Sequence, residues 1–249
     1  MLQKMQMKIE AYIIAWNRAE TIAMTINHYK AFCSRVVLFD NYSDDGTRDI
    51  ASLAGAEVNT FGADGVLNDQ SYLDVKNNCW KGSDADWVIV VDDDEILWHP
   101  NLIEELQFAR DSGATVIHPQ GWGVFSNDMP TNEWTEIMDG VEDNNYSKLC
   151  VFNPKALTEI GYIFGCHQAK PKGRIRLVNK LFLLHYRAVG GVERLIERHH
   201  AYQPRKKKSA INERWGLGSH YDEADEQKRI WYHEQLEKSV PLSKAGYHF

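Results

Sequence analysis

Cysteine is scarce in this chain, and long apolar runs are absent. The four cysteines, Cys33, Cys79, Cys150 and Cys166, form no Cys-x-x-Cys pair, whereas zinc sites and disulfide frameworks usually show closer spacing. We therefore expect reduced and mostly buried thiols. No stretch of about 18 apolar residues occurs, so no transmembrane segment is predicted. The start, Met1–Lys8, is too polar for a signal-peptide core. Together these absences predict a cytoplasmic protein.

Positive charge is also in deficit. Lysine and arginine number 28 against 35 aspartates and glutamates, which gives a net charge of −7. A mildly acidic protein is a poor candidate for binding nucleic acid over its surface. With 43% hydrophobic and 25% charged residues, the chain has enough apolar material for a core, which excludes wholesale disorder. Its 249 residues fit one large domain or a core domain with a tail.

Strand and helix patterns alternate through the first half of the chain. Short β-branched apolar runs indicate buried strands, and apolar residues three or four apart indicate helices. The predicted strands are 8–15, 35–40, 57–61, 86–92 and 114–118, and the predicted helices are 18–32, 47–54, 70–81 and 100–111. This alternation predicts an α/β fold with a doubly wound, mostly parallel central sheet and helices on both faces.

Polar residues follow several of these strands directly. Asn17 follows the first, Asp40–Asn41 ends the second, and Asp92–Glu95 ends the fourth. Since ligands bind at the carboxyl ends of strands in such sheets, we expect the binding site at this edge.

The pattern weakens after Gly121. Residues 121–145 are polar and aromatic with few periodic runs, so we predict a long loop, and such loops are often functional lids. Later strands are predicted at 148–152 and 180–187, and a charged helix at 223–238. The basic run Arg205–Lys208 has three open interpretations: contact with a diphosphate, attraction of an anionic acceptor or a membrane surface, or a solvated helix turn, which is the commonest role of a charge run.

The segment Val88–Glu95 is the most informative in the chain. A hydrophobic strand delivers three aspartates and a glutamate together at its carboxyl end. Like charges this close repel unless protons or a cation relieve them, and Mg²⁺ or Mn²⁺ with oxygen ligands could bridge to substrate phosphates. The alternative is a solvated acidic turn at the start of the next helix.

An Asp-x-Asp sequence after a strand is similar to motifs of two enzyme classes. Asp92–Ile96 resembles the Asp-x-Asp-x-Thr/Val motif of haloacid-dehalogenase-like phosphatases, but those enzymes place it on their first strand. In glycosyltransferases with the GT-A fold, the motif follows several strand–helix units. The position in this chain favours the second class.

Two further segments strengthen this resemblance. Asn17–Glu20 is similar to the first helix start of glycosyltransferase family 2, and Phe39–Thr47 to its Asp-(Asp/Asn)-x-Ser-x-Asp-Gly-Thr motif. The segment Trp87–Glu95, which contains the Asp-x-Asp sequence, is similar to the acidic strand of that family. Two linked motifs in the same order are fairly specific. The resemblance covers about residues 8–190 and implies a GT-A nucleotide-sugar-binding and catalytic domain at 1–190. We expect 191–249 to be a basic, helical extension that packs on or closes over the site.

The resemblance implies roles for individual residues toward the donor nucleotide. Asp40 would accept a hydrogen bond from the base, or alternatively cap a turn. Lys76 would lie near the base or diphosphate, or alternatively on a solvated helix face. The full set of predicted nucleotide-binding residues is Ala15, Asn17, Glu20, Asp40, Asn41, Lys76, Asp92 and Asp93.

The same resemblance implies the metal ligands, the contacts to the sugar and the catalytic base. Asp94 would ligate Mn²⁺ or Mg²⁺ together with His185, with His220 as the fallback histidine. The predicted contacts to the donor sugar or acceptor are Glu95, His167 and Trp122. Family 2 enzymes invert the anomeric carbon with one carboxylate as base. Asp139 and Asp143 are the candidates we favour from the acids Glu136, Asp139, Glu142 and Asp143.

The sequence therefore predicts a metal-dependent, inverting glycosyltransferase. Its partners would be a UDP-, GDP- or dTDP-linked sugar and a glycan or lipid-linked acceptor, with no nucleic acid. Two alternatives stay open. A phosphatase of the Asp-x-Asp type would form a covalent aspartyl phosphate, and a non-catalytic nucleotide-sugar or glycan-binding module would bind without turnover.

Overall fold

The computed structural model describes residues 7–179 and 181–244, which alternate between strands and helices. The strands are β1 Ile9–Ala15, β2 Arg35–Asp40, β3 Glu57–Thr60, β4 Trp87–Asp92, β5 Glu95–Trp98, β6 Val116–Ile117, β7 Gln120–Ser126, β8 Asp139–Glu142, β9 Val151–Phe152, β10 Leu157–Glu159, β11 Lys172–Gly173, β12 Leu177–Val178, β13 Phe182–Val189 and β14 Val240–Pro241. The helices are α1 Ile22–Lys30, α2 Thr47–Leu53, α3 Asp69–Asn78, α4 Leu102–Asp111, α5 Val192–Lys206, α6 Ala210–Trp215 and α7 Asp225–Lys238.

The central sheet has the strand order β12-β6-β9-β4-β1-β2-β3. Its pairs are parallel except where β9 runs antiparallel between β6 and β4. The register places Ala15 opposite Asp40, and Ile14 opposite Asp92. The mixed α/β fold with a mostly parallel sheet is therefore confirmed, and the carboxyl ends of β1, β2 and β4 meet at one edge.

Alternate residues of β1 face two separate apolar clusters. Ile13 and its odd-numbered neighbours pack with the apolar side of α1 and α4. Tyr12 and Ile14 pack with Trp80 and the apolar residues of α3. Because successive side chains of a strand point to opposite faces, the sheet has a helix layer on each side.

A second sheet, of order β14-β8-β7-β13-β5, corrects one prediction. Residues 121–145, predicted as a loop, contain most of β7 and all of β8. Glycine obscured the strand pattern here: a Cβ on Gly121 would lie 2.4 Å from backbone atoms of Tyr146 and Ser147, and one on Gly140 would lie 2.2 Å from the carbonyl oxygen of Gly123. Glycine within a strand often marks such a close backbone approach.

The other predicted strands and helices agree with the structure to within a few residues, with one larger difference, whereas β5, β10, β11, β12, β14, α5 and α6 had no predicted bounds. Helix α1 begins at Ile22 rather than at residue 18, because residues 18–21 form a turn closed by the carbonyl of Arg18. Lys180, in the predicted strand 180–187, lies outside the described residues, and the strand itself is Phe182–Val189. In the part of the chain that the structure describes, no helix has both the length and the apolar character needed to cross a membrane.

Candidate active site

The four acidic residues lie where the two sheets meet. Asp92 ends β4, Asp93 and Asp94 form a turn, and Glu95 begins β5. The Asp93 amide donates to the carbonyl of Ile14 at 3.0 Å, and the Thr25 hydroxyl donates to the Asp93 carbonyl at 2.6 Å. Strand β5 leaves the turn and pairs antiparallel with β13, which sets Glu95 opposite His185. Backbone contacts to both sheets thus fix the turn.

Each of the four carboxylates has a basic partner. The ion pairs are Asp92 with Lys76 at 2.6 Å and with Lys148 at 3.2 Å, Asp93 with Arg18, Asp94 with Arg198 at 3.0 Å, and Glu95 with Lys148. Four adjacent acids must be neutralised, which is why the sequence predicts a metal here. In this structure the protein's own lysines and arginines supply that neutralisation, so the repulsion alone does not require an ion.

Burial raises the pKa of a carboxyl group, whereas these neighbouring cations lower it. Burial by itself would raise the pKa of Glu95, but Lys148 and His185 hold it well below its ordinary value. Burial likewise opposes ionisation of Asp94, whose pKa His185, Arg198 and Arg18 nevertheless lower. For Asp93 burial prevails over Arg18, and the pKa is raised to about 6. Neighbouring carboxyls in one turn therefore have well separated acidities.

A cavity of about 380 Å³ opens beside the acidic turn. One side is formed by the carboxyl ends of β1 and β4 and by α3, which contribute Ala15, Trp16 and Tyr72. The rest of the lining comes from β13, from α5 and from the turn Ser219–Asp222. A space of this size is typical of small-molecule sites.

Aromatic rings form part of the cavity near β1. Tyr202 lies 5.0 Å from Trp16 and 4.9 Å from Tyr221 between ring centroids. The Arg205 guanidinium lies 3.6 Å from the centre of the Trp16 ring and donates to the carbonyl and side-chain oxygens of Asn41. Arg205 is buried, as is Lys206, which pairs with Asp222. The interpretation of Arg205–Lys208 as a solvated helix turn therefore holds only for its second half, Lys207–Lys208, which is exposed.

Asp94 and His185 could together hold a divalent ion. His185 Nε2 lies 3.8 Å from Asp94 Oδ1 and 3.4 Å from Glu95 Oε1, which lets one ion contact both Asp94 and His185. Within residues 7–179 and 181–244, no cluster of three or more His, Cys, Asp or Glu side chains is arranged to hold a metal. Two protein ligands leave the rest of an ion's shell to substrate phosphate and water, which is how Mg²⁺ commonly binds.

The structure brings half of the predicted site residues to the cavity. Those lining it are Ala15, Lys76, Asp92, Asp93, Asp94, His167, His185 and His220. Lys76 is buried and paired, so its alternative as a solvated helix face is excluded. The ring of His220 contacts His199 and Tyr221.

The predicted residues near β2 lie behind the cavity. Asp40 is fully buried and accepts from the amide and hydroxyl of Ser43, which is the turn-capping alternative. Asn17 exchanges hydrogen bonds with Asp44. Glu20 is exposed and pairs with Arg194. Their roles toward a nucleotide stay predictions, as does that of Asn41.

Four other predicted residues are also absent from the lining formed by the described residues. Glu95 lies beneath the turn and accepts from the amide of Asp92 at 2.9 Å. Trp122 is in the core, where its indole donates to the carbonyl of Met138. Asp139 is exposed on β8, and Asp143 caps the turn Asn144–Tyr146. Neither of the predicted bases reaches the cavity in this structure.

Four basic residues of the cavity are not among the predicted site residues: Arg18, Lys148, Arg187 and Arg198. Arg18 lies within the motif Asn17–Glu20, whereas the other three lie outside the recognised motifs. A local signal existed for Arg187, because it lies two residues after His185 on a predicted strand and alternate residues share a face. For Lys148 and Arg198 the sequence held no comparable signal.

Comparisons with known proteins give structural similarity at low identity. No protein-family model matches the chain, and no curated protein matches its sequence. The chain is similar to TarS of S. aureus, at 15% identity and a TM-score of 0.49, over 91% of this chain and 43% of that one. It is similar to mannosyl-3-phosphoglycerate synthase from Rubrobacter xylanophilus, at 20% identity and a TM-score of 0.34, over 46% and 40%.

A third solved structure contains ligands. It is glucosyl-3-phosphoglycerate synthase from Mycobacterium tuberculosis in complex with Mn²⁺, UDP-glucose and phosphoglyceric acid, at 19% identity and a TM-score of 0.33, over 46% of this chain and 44% of that one. The chain thus spans less than half the length of these structures. At such identities the similarity concerns the fold alone.

Proposed function

We propose that this protein is a glycosyltransferase that moves a sugar from a nucleoside-diphosphate donor to an acceptor with the help of Mn²⁺ or Mg²⁺. The observation that carries the proposal is the position of Asp92–Asp94: this turn, whose sequence resembles the Asp-x-Asp motif of GT-A enzymes, opens into the cavity at the carboxyl ends of β1 and β4. Such sheet edges are where α/β proteins bind ligands.

The side of the cavity at β1 and α3 suits the nucleotide. Trp16 and Tyr72 offer aromatic surface for a nucleobase or ribose. Lys76 and Lys148 contact Asp92, the last residue of β4 before the turn. When a divalent ion is bound at Asp94 and His185, it would neutralise the charge that develops on the departing diphosphate. The chain's own residues would bind and orient the donor and shield it from water.

Inversion and the identity of the base stay predictions. The cavity also contains Asp69, a carboxylate that the sequence analysis did not consider, whose pKa burial raises. A raised pKa suits a general base. We therefore add Asp69 to Asp139 and Asp143 as a candidate for the general base.

Nucleotide binding is the most direct test of this proposal. We expect UDP, GDP or dTDP to raise the melting temperature only when Mn²⁺ is present, because a ligand that binds the folded state stabilises it by about 2.7 kcal/mol at a hundredfold excess over Kd. The variant Asp94→Ala should lose this shift. The control Asp49→Ala removes an exposed carboxylate on α2 and should keep it. If none of the nucleotides changes the melting temperature with or without Mn²⁺, the proposal is wrong.

Turnover distinguishes the alternatives. A transferase should slowly hydrolyse its donor sugar when no acceptor is present, whereas a binding module should bind the donor and leave it intact. A phosphatase should release phosphate from simple phosphate esters without any nucleotide. The motif of the phosphatase class belongs on a first strand, and here it follows β4, so we expect no such release.

A further inference from the structure

The cations that line the cavity are not all neutralised. Five lysines and arginines line it: Arg18, Lys76, Lys148, Arg187 and Arg198. Four of these form ion pairs with the acidic turn. In the part of the chain that the structure describes, the fifth, Arg187, has no carboxylate partner. Its guanidinium instead lies 5.9 Å from the ring centre of Tyr146 and 5.5 Å from that of Trp231.

Unsatisfied polar atoms cluster beside Arg187. Its Nε is buried without a hydrogen-bond partner, and the same holds for Nδ1 of His199. His199 is only 6% exposed and lines the cavity. The ring of His220 lies 5.7 Å from that of His199. Buried polar groups nearly always have hydrogen-bond partners. These two unpartnered atoms therefore indicate that a ligand binds beside Arg187 and His199.

Arg187 is the charged member of this group, because burial and the nearby guanidinium lower the pKa of His199 to about 3. The basic side chains nearby on α5 and α7 are already paired: Arg198 with Asp94, Lys206 with Asp222 and Lys228 with Asp225. Arg187 is therefore the charge that a ligand would satisfy.

We propose that Arg187, His199 and His220 bind an oxyanion, a phosphate or carboxylate, that the acceptor substrate carries. A guanidinium makes strong charge-assisted hydrogen bonds to such groups, and two neutral imidazoles can each donate one N–H. This assignment rests on the proposed function, because it treats the part of the lining at Ala15, Trp16 and Tyr72 as the place of the donor nucleotide.

We assign the oxyanion to the acceptor because none of the three residues belongs to a motif that resembles nucleotide-binding positions; His185 of the same strand would hold the ion of the donor diphosphate. Arg187 belongs to β13 of the second sheet, and His199 and His220 belong to the C-terminal segment. The motif residues that resemble nucleotide-binding positions belong to the first sheet. Strand β13 also has one residue more than β7 between His185 and Ala188, a bulge of the kind that turns side chains toward sites.

Calorimetric titration with inorganic phosphate tests the assignment on the full chain. We expect Arg187→Gln to weaken phosphate binding by about tenfold or more, and Arg187→Lys to restore part of the loss. The control Arg214→Gln removes the same charge from the exposed surface of α6 and should bind as the wild type does. Melting curves of each variant show whether it is folded. If the wild type binds no phosphate, or Arg187→Gln binds it equally well, the assignment is overturned.

A second titration separates acceptor from donor. With Mn²⁺ and a saturating nucleoside diphosphate present, phosphate should still bind, with the same dependence on Arg187. If the nucleotide displaces phosphate, the group belongs to the donor and the assignment to the acceptor is wrong. If phosphate binds through Arg187 while no nucleotide binds at all, the oxyanion site stands and the proposed transferase function fails. The two failures are therefore distinguishable.

Discussion

At the scale of single residues, the structure of the acidic turn depends on buried ion pairs. Glu95 is fully buried and contacts Lys148, which is itself only 4% exposed. Glu95 also accepts the amide of Asp92. A buried pair contributes little net stability compared with apolar residues, but removing one partner leaves the other charge uncompensated.

The pair of Glu95 and Lys148 can be tested by single and double substitution. We expect Glu95→Ala to lower the free energy of unfolding by about 3 kcal/mol, because Lys148 stays buried and keeps only Asp92, at 3.2 Å, as a partner. Glu95→Gln keeps an acceptor for the Asp92 amide and should cost less. Urea denaturation measures all three proteins. The double variant Glu95→Gln with Lys148→Met should recover part of the loss, and equal stability of Glu95→Ala and the wild type would contradict the prediction.

Histidine burial gives the protein a specific dependence on pH. Burial lowers the pKa of His28 on α1 from 6.5 to about 4. Below pH 6.5 the unfolded chain therefore binds a proton at this position that the folded chain does not, so stability falls as the pH falls.

The matched variant isolates this contribution. The stability of the wild type relative to His28→Gln should fall by about 1.4 kcal/mol per pH unit between pH 6.5 and 4, as measured by urea denaturation at several pH values. The exposed His233→Gln should show no such trend relative to the wild type. A constant difference between His28→Gln and the wild type would refute the prediction.

At the scale of elements, the sequence predicted the central sheet well and the second sheet poorly. Strands such as Arg35–Asp40 and Trp87–Asp92 are buried on both faces, so their apolar runs stand out. Strand β7 has the sequence QGWGVFS, in which two glycines replace the side chains that would show alternation. The reason for those glycines is the backbone packed against them, which the sequence does not show.

Strand β7 offers a matched pair of substitutions. A Cβ on Gly121 would lie 2.4 Å from backbone atoms, whereas one on Gly123 would lie 3.1 Å from the ring of Tyr146. We expect Gly121→Ala to cost about 2–4 kcal/mol of stability, since backbone cannot move aside, and Gly123→Ala to cost less than about 1.5 kcal/mol. Thermal denaturation compares the two, and a larger loss at Gly123 would show that the packing is described wrongly.

At the scale of the whole molecule, the cavity is lined by residues of both sheets and of the segment that follows Gly190. The motif residues Asp92–Asp94 were predictable because a strand and a recognisable pattern precede them. Other parts of the lining were predictable only in part: His185 and His220 were predicted, and Arg187 follows His185 on the same strand, but Arg198 and His199 reach the cavity through the packing of α5 on β13. Long-range contacts of this kind leave no local pattern.

Truncation tests the predicted boundary between 1–190 and 191–249. Leu195 and Tyr232 bury Phe125 and Ala188 of the second sheet, and β14 pairs with β8. We therefore expect a chain that ends after Gly190 to lose its cooperative melting transition and to bind no nucleotide. If that chain melts cooperatively at the temperature of the full protein, the first 190 residues are an independent domain.

The extra residue of β13 divides this strand into two parts with different roles. Phe182–His185 keep a regular register with β5, which holds the strand in its sheet. Beyond His185 the bulge bends the strand locally and re-aims its side chains, and Arg187 lies in this irregular part. Pairing within the sheet and the direction of a cavity side chain are therefore set by separate stretches of one strand.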